Sequence, residues 1–531
     1  MALAYHTELY LFVFLPLVVL VYHFSSQKMR RAVLILAGYI FFWSFSQWLV
    51  GYLIAVSGLV YGAGRWMEQL KETGKTRSKG LPSKERSAVK KQYKAKEKRV
   101  LIAGIVILLG ILAYLKYCNF FIQNINRIFA ASGSGFHLNP QNLLIPIGIS
   151  FYTLEAIGYM ADVYWGRIKA EHNFGKVALF LGFFPQIMEG PISSWNDTAD
   201  ALWECRPVRS ENLTKGIIRI AWGLFKKIVV ADRLSVLVAA IYDDYTSYHG
   251  VMIVVVAIAY TLQLYMEFSG TMDVVIGSAE LFGIVLPENF KRPFFSKSIS
   301  EFWTRWHITL GTWFRDYIFY PISMSKPMKR LTSKARKKIG NHFGPLIAGS
   351  IALFVVWLFN GLWHGAGWHY ICFGMYHFVL IASANAVEPY TKKLLEKLHI
   401  GREEGGYKCF RIVRTALLVC IGELIFRAGS LRIAMRMLKK MFTDFNFRSF
   451  TDGTLLNLGM DKYDFLIVAV SVLIVLVISI ANERGICIRQ KLAEKKVVVR
   501  WAVVYGLILF CIIFGAYGMN YTPVDPIYAG F

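Results

Sequence analysis

Two histidines set among aromatic side chains are the residues of this chain best suited to chemistry at neutral pH. The first stands in Ser300-Glu-Phe-Trp-Thr-Arg-Trp-His307-Ile-Thr-Leu-Gly-Thr-Trp313-Phe-Arg-Asp-Tyr317. The second stands in Trp357-Leu-Phe-Asn360-Gly-Leu-Trp363-His364-Gly-Ala-Gly-Trp368-His369. An imidazole titrates near neutrality, so it can take a proton from a hydroxyl and return one. A hydroxyl is a poor nucleophile until such a base acts, and the oxyanion that follows needs preorganised donors. Asn360, the Trp306 Nε1–H or backbone N–H groups near Gly365 could supply them. No serine nucleophile elbow of the Gly-x-Ser-x-Gly type is evident, which favours direct transfer over an acyl-serine intermediate. Metal chemistry fits poorly. His364 and His369 are five residues apart and diverge by about 140° on one helix. No His-Glu-x-x-His occurs, no carboxylate neighbours His364, and no metal ligand is assigned.

These side chains need elements to hold them. Read as one helix, the first cluster pairs Glu301 with Arg305 at i, i+4 and puts His307, Leu310 and Phe314 on a common face. Its competing reading is an interfacial helix, anchored by tryptophans with its arginines snorkelling. The second cluster follows the apolar run Leu346–Phe359, so His364 falls at the end of a span, inside a break made by Gly361, Gly365 and Gly367. Its competing reading is a histidine that simply hydrogen-bonds a neighbouring helix.

The rest of the chain has the composition of a membrane protein. It is 55% hydrophobic and only 18% charged, with a mean hydropathy of +0.43; a soluble domain carries about 25% charged residues. Apolar runs recur from end to end, among them Leu9–Tyr22, Val100–Tyr117, Phe465–Ile480 and Val497–Gly515. The expected fold is all-α, a polytopic transmembrane bundle of about ten to twelve spans with additional short or re-entrant helices. One membrane-embedded domain is expected over residues 1–531. Within it lie a basic cytoplasmic loop at 65–99, the motif-bearing core at 181–377, further spans at 408–519 and an outer tail at 520–531.

The net charge of +26 does not point to nucleic acid. Residues 65–99 hold 13 Lys/Arg against four acids between two apolar spans, the pattern of a cytoplasmic loop. No nucleic-acid module accompanies it. The same bias puts both termini outside. One stretch resists: Arg427–Arg448 holds six basic residues where the alternation gives the outer face, and its pattern suits a surface-lying amphipathic helix. The seven cysteines form no Cys-x-x-Cys pair.

Three motifs occur in order over about residues 181–377: Phe183-Phe-Pro-Gln-Ile-Met-Glu-Gly-Pro191, Phe302-Trp-Thr-Arg-Trp-His307 and Asn360-Gly-Leu-Trp-His364-Gly. Together they resemble the membrane-bound O-acyltransferase superfamily, in its bacterial branch of alginate and peptidoglycan O-acetyltransferases and teichoic-acid D-alanyltransferases. Glu189, where that family usually has a small residue, and Gly311, where it commonly has Ser, are departures. The resemblance implies a helical ring around a thin central floor, with an outer funnel and a cytoplasmic opening meeting there. It implies His364 as general base with His307 beside it, and makes Arg305, Trp306, Asp316, Asn360 and Trp363 candidates for binding substrate. No bound cofactor is implied; the donor would be a cytoplasmic acyl thioester, acetyl-CoA or an acyl carrier protein. The acceptor would be a hydroxyl of a cell-surface polysaccharide, reached directly or through an extracellular or membrane-anchored SGNH-type transferase. Membrane lipid is the other partner, and the cell membrane the expected location. The tail Tyr521–Phe531 loosely resembles aromatic tyrosine endings in such systems, which makes Tyr528 a possible acyl relay or else an interfacial anchor. Two other functions compete: a transporter of lipid-linked polymer, disfavoured because no paired halves with matching broken helices are visible, and a non-catalytic scaffold for an extracellular transferase.

Overall fold

The computed structural model describes residues 3–517. Helices account for 78% of the described residues, which hold no strand beyond an isolated antiparallel bridge between Phe290 and Trp306. Among the described residues seven segments are long and apolar enough to cross a membrane: Gln27–Ser78, Ser83–Ala131, Gly250–Leu281, Lys326–His364, Trp368–Lys397, Lys462–Glu483 and Val497–Phe514. The first of these holds two helices, Gln27–Ser46 and Val50–Ser78, and Leu9–Phe24 adds a shorter apolar helix. The chain is a multi-pass membrane protein. The expected count was about ten to twelve; other helices among the described residues, such as Phe174–Gly182 and Asp232–Asp243, are too short to span. Burial separates the segments. In Gly250–Leu281 72% of the most apolar stretch is buried, against 11% in Val497–Phe514, so the former is a core helix and the latter faces its surroundings.

The described chain divides into two compact units: residues 3–217 with 275–287, and residues 218–274 with 288–517. In the first, the basic stretch 65–99 is not an irregular loop. Val50–Ser78 and Ser83–Ala131 continue through it as a helical hairpin, because its Lys, Arg, Glu, Gln and Ala are strong helix formers. The turn is made by Gly80 in the left-handed region (φ 76°) and Pro82 at the start of the second helix. The second helix runs on to Ala131. The motif Phe183–Pro191 lies buried in this unit between Phe174–Gly182 and Trp195–Glu204. Glu155 Oε1 accepts from Gln186 Nε2 at 3.2 Å and from the Ser193 N–H at 3.0 Å, satisfying an irregular backbone that cannot satisfy itself. Gly148 (φ 70°) makes room for it, since a Cβ there would lie 1.9 Å from the Ile187 carbonyl oxygen.

The second unit holds both histidine clusters. At one of its ends Arg292 and Arg305 pair with Glu483 (2.6 and 3.1 Å), and Lys297 pairs with Glu403 (2.9 Å). Other elements meet at the opposite ends of those helices: Arg233 pairs with Asp464, and the helix Leu431–Thr443 meets the turn before Gly250. The helices Lys326–His364 and Trp368–Lys397 cross at two glycines. A Cβ at Gly374 would lie 2.3 Å from the Trp357 carbonyl, and one at Gly361 2.5 Å from that of Tyr370. Small residues at such a crossing let backbones approach closely. Gly374→Leu is therefore expected to force this pair apart, lowering the melting temperature in detergent by several degrees and the activity with it. An unchanged melting curve would refute the close crossing.

Candidate active site

Local sequence explains how His307 is presented. Ser298 caps the helix Ile299–Arg305, accepting from the Glu301 N–H at 3.1 Å, and Glu301 reaches back to the Lys297 N–H at 2.9 Å. Glu301 also pairs with Arg305 at 2.8 Å, the i, i+4 contact expected of this stretch. The helix does not continue through the cluster as the sequence reading assumed. It stops at Trp306, and a new helix, Ile308–Phe314, begins after His307. His307 itself sits in the left-handed region (φ 46°, ψ 52°). Two backbone bonds to the strand-like stretch before the cluster hold this break open: Lys291 N–H to Arg305 O (2.9 Å) and Ile308 N–H to Asn289 O (3.0 Å).

Asn289 then fixes the imidazole. Its Oδ1 accepts from the Thr309 N–H at 3.1 Å and the Thr309 hydroxyl at 3.0 Å, and His307 Nδ1 lies 3.2 Å from the same oxygen. The backbone N–H can only donate, so the carboxamide oxygen must face this cluster. His307 Nδ1 therefore carries the proton, which makes Nε2 the basic nitrogen. On the far side Asn289 Nδ2 donates to Met272 Sδ at 3.3 Å. Phe268 packs edge-on against the imidazole, with ring centroids 4.9 Å apart.

His364 is the last residue of Lys326–His364, and the chain breaks after it as expected. A Cβ at Gly365 or Gly367 would collide with the Tyr370 ring (2.2 Å) or the His369 ring (2.6 Å), so only glycine fits this tight return into Trp368–Lys397. The His364 ring packs edge-on against Trp363 (4.9 Å), Phe426 (5.1 Å) and Phe373 (5.8 Å). Trp363 also meets His307, with centroids 5.5 Å apart. The indole thus lies against both imidazoles, and all three residues are buried.

A third histidine, to which the sequence reading gave no role, stands one aromatic ring further on. His377 meets Phe373 at 4.8 Å, stacks on Trp357 at 5.3 Å, and accepts from Trp303 Nε1 at 3.2 Å. That bond fixes its tautomer as the Nε2-protonated one. It shares the helix Trp368–Lys397 with His369, and the contact with Trp303, 74 residues earlier, reveals its setting.

The remaining sequence-predicted residues are distributed unevenly. Asn360 lies buried one turn before His364, and its Oδ1 has no hydrogen-bond partner among the described residues. The Trp306 indole faces another way, into a cluster with Tyr265, Phe290, Phe294 and Phe302. Arg305 is engaged by Glu301 and Glu483. Asp316 pairs with Arg315 at 2.8 Å, and both are partly exposed. Tyr528 lies outside the described residues. Sequence reading also missed a buried ionic cluster: Lys227, in the π-helical segment Phe225–Ala231, contacts Asp232 (2.6 Å) and Glu267 (3.2 Å). The described residues contain no group of three His, Cys, Asp or Glu that could hold a metal ion.

Comparison with known proteins adds an independent line. The model of the membrane-bound O-acyltransferase family matches residues 168–336. The protein named "Probable alginate O-acetylase AlgI" from Pseudomonas syringae pv. tomato is 33% identical over 449 residues, covering 83% of this chain and 75% of that one. The "Peptidoglycan O-acetyltransferase" of Helicobacter pylori is 28% identical over 83% of this chain and 80% of its own. The "Teichoic acid D-alanyltransferase" of Bacillus subtilis is 28% identical over 54% of this chain and 74% of its own.

Proposed function

Because this chain belongs to the membrane-bound O-acyltransferase family, we propose that it moves an acyl group, in the first place acetyl, from a cytoplasmic thioester to a hydroxyl of a cell-surface polysaccharide. The protein is a membrane-bound acyltransferase; donor, direction and residue roles are the proposal. The observation that carries it is the Trp363 indole lying against both the His307 and the His364 rings in a buried, aromatic-walled site.

In the proposed reaction His364 takes the proton from the acceptor hydroxyl as its oxygen attacks the thioester carbonyl carbon. The tetrahedral oxyanion collapses, the carbon–sulfur bond breaks, and the imidazolium returns the proton to the departing thiolate. Asn360, whose side chain shares the end of this helix, supports the oxyanion through its Nδ2–H donors. A second reading exchanges the two imidazoles, and one observation favours it: Asn289 holds His307 in the tautomer with a basic Nε2. The basic stretches 65–99, 291–338 and 484–500 support the proposed orientation, with these regions cytoplasmic and both termini outside. An SGNH-type partner and an acyl relay through Tyr528 belong to the same reading. Direct acceptance of the acyl group by the polymer is its simplest form.

Purified protein in lipid nanodiscs, given acetyl-CoA labelled in the acetyl group together with an acidic or neutral oligosaccharide, tests the reading. Time-dependent label on the sugar, alkali-labile as an ester must be, is the expected result. Absence of label from acetyl-CoA and from an acyl carrier protein alike, with and without an SGNH partner, would overturn it.

A further inference from the structure

The segment between the helices Gly405–Arg427 and Lys462–Glu483 carries cations that the proposed orientation puts on the outer face, against the usual bias of Lys and Arg. Its amphipathic helix is present, at Leu431–Thr443, capped by Ser430, which accepts from the Ile433 N–H at 3.2 Å. The apolar side of this helix, with Ala434 and Met437 buried, packs on Trp368–Lys397 and Gly405–Arg427. That stripe is used within the protein and does not face a bilayer. Its far end is clamped to the start of Gly250–Leu281. The Gly250 N–H donates to the Asp444 carbonyl at 2.8 Å, and a Cβ on Gly250 would lie 2.2 Å from the Lys440 carbonyl. The His249 ring lies 2.9 Å from the Asp444 carboxylate and, with Lys440 nearby, holds that carboxyl below its ordinary range.

The opposite side points outward and carries Arg432, Arg436 and Lys439. All three are exposed, and none has an ion-pair partner among the described residues. Spacings of four and three residues align them in one row about 10 Å long. Met435 (57% exposed) and Phe442 (84% exposed) flank the row on one side, and Phe445 and Phe447 extend the apolar surface past the end of the helix. Like charges at i, i+4 repel, so such a row weakens its own helix unless an anion bridges it.

We propose that this row is a docking strip for an acidic glycan, a polymer with an anionic group on successive sugar units. The proposal rests on the reading that the acceptor approaches from this side. Guanidinium groups pair with carboxylates or phosphates through two parallel hydrogen bonds. Phe442 and Met435 offer apolar faces to the C–H surfaces of the sugar rings. The strip holds the polymer near the site while successive hydroxyls are presented, and its charge makes capture fast and salt-sensitive.

The test reads binding, not transfer. Full-length protein in phosphatidylcholine nanodiscs is titrated with a polyuronate oligosaccharide and, separately, with neutral dextran of equal length. The comparison variants are Arg432→Gln/Arg436→Gln/Lys439→Gln and, at the opposite end of the unit, Lys392→Gln/Lys393→Gln/Lys397→Gln. Expected are polyuronate binding that weakens as salt rises, no dextran binding, and a loss of about tenfold in affinity in the first variant only. Equal affinity in wild type and the first variant, or equal loss in both variants, overturns the proposal. So does a first variant that loses phosphatidylglycerol vesicles and keeps the polyuronate, which would assign the row to lipid headgroups. Because no acyl transfer is measured, a failed mechanism at His364 would leave the binding result intact, and the reverse holds too.

Discussion

His364→Ala is expected to lower acyl transfer by about a thousandfold, the scale on which a positioned acid–base group contributes. The protein should still insert and fold. The ring of His364 makes edge contacts with Trp363, Phe373 and Phe426; Phe426 also contacts Phe373 and Tyr370, and Trp363 also contacts His307, so the aromatic wall has other support. The measurement is ester formation per molecule of protein recovered in the membrane fraction, with size-exclusion profile and melting temperature as controls for folding. A non-catalytic scaffold would tolerate the change, and a transporter would lose flux of the unmodified polymer instead of its modification. Normal acylation at normal abundance in this variant would end the proposed mechanism.

Asn289→Leu is the second large effect, expected at roughly ten- to hundredfold in rate, as is found for hydrogen-bond partners that orient functional histidines at metal centres. It removes the acceptor for His307 Nδ1 and for both Thr309 donors at once. Loss of folding would give the same reading, so Asn289→Asp is the decisive companion. A carboxylate in that place still accepts from Thr309 and from His307 Nδ1–H, and its charge favours the imidazolium. In the second reading, with His307 as the base, that base would then be protonated at higher pH than in the wild type. Activity should recover at alkaline pH, with the acidic limb of the pH–rate profile displaced upward by about one unit. A purely structural role for Asn289 would leave that limb where it was, and so would an imidazole at 307 that takes no part in proton transfer.

Local patterns carried the family assignment, and the comparisons agree with it. Trp-His-Gly after an apolar run marked the end of a span, because glycines 365 and 367 can only signal a tight return. The Leu-Arg-Ile-Ala-Met-Arg-Met-Leu-Lys-Lys pattern marked an amphipathic helix, and one is there at Leu431–Thr443. Distant contacts were not legible. Asn289 reaches His307 from 18 residues away and Trp303 reaches His377 from 74, distances at which helical periodicity says nothing. Pro287-Glu-Asn289-Phe, a polar interruption between the run Ile276–Leu286 and the tryptophan cluster, was the one available hint of Asn289. The break at His307 was hidden for another reason: no Pro or Gly stands at it, and it is set by tertiary backbone bonds with Asn289 and Lys291. Trp306 shows the cost of that error. Its indole, read as an oxyanion donor, turns in the structure into the Tyr265–Phe302 cluster.

The main-chain geometry at position 307 restricts which probes of that residue can be interpreted. A left-handed conformation costs most side chains roughly 1–2 kcal/mol, and β-branched ones more, while Asn, Asp, His and Gly adopt it comparatively readily. Exchanging the imidazole for a methyl or an isopropyl group therefore changes two things at once, the proton acceptor and the torsional fitness of the hinge between two short helices. A carboxamide or a bare hydrogen at that position leaves the hinge at ease and subtracts only the ring. Selection on this site is likewise double: the alphabet open to it is set by torsion before chemistry is consulted, and the few letters that pass include the one able to carry a proton.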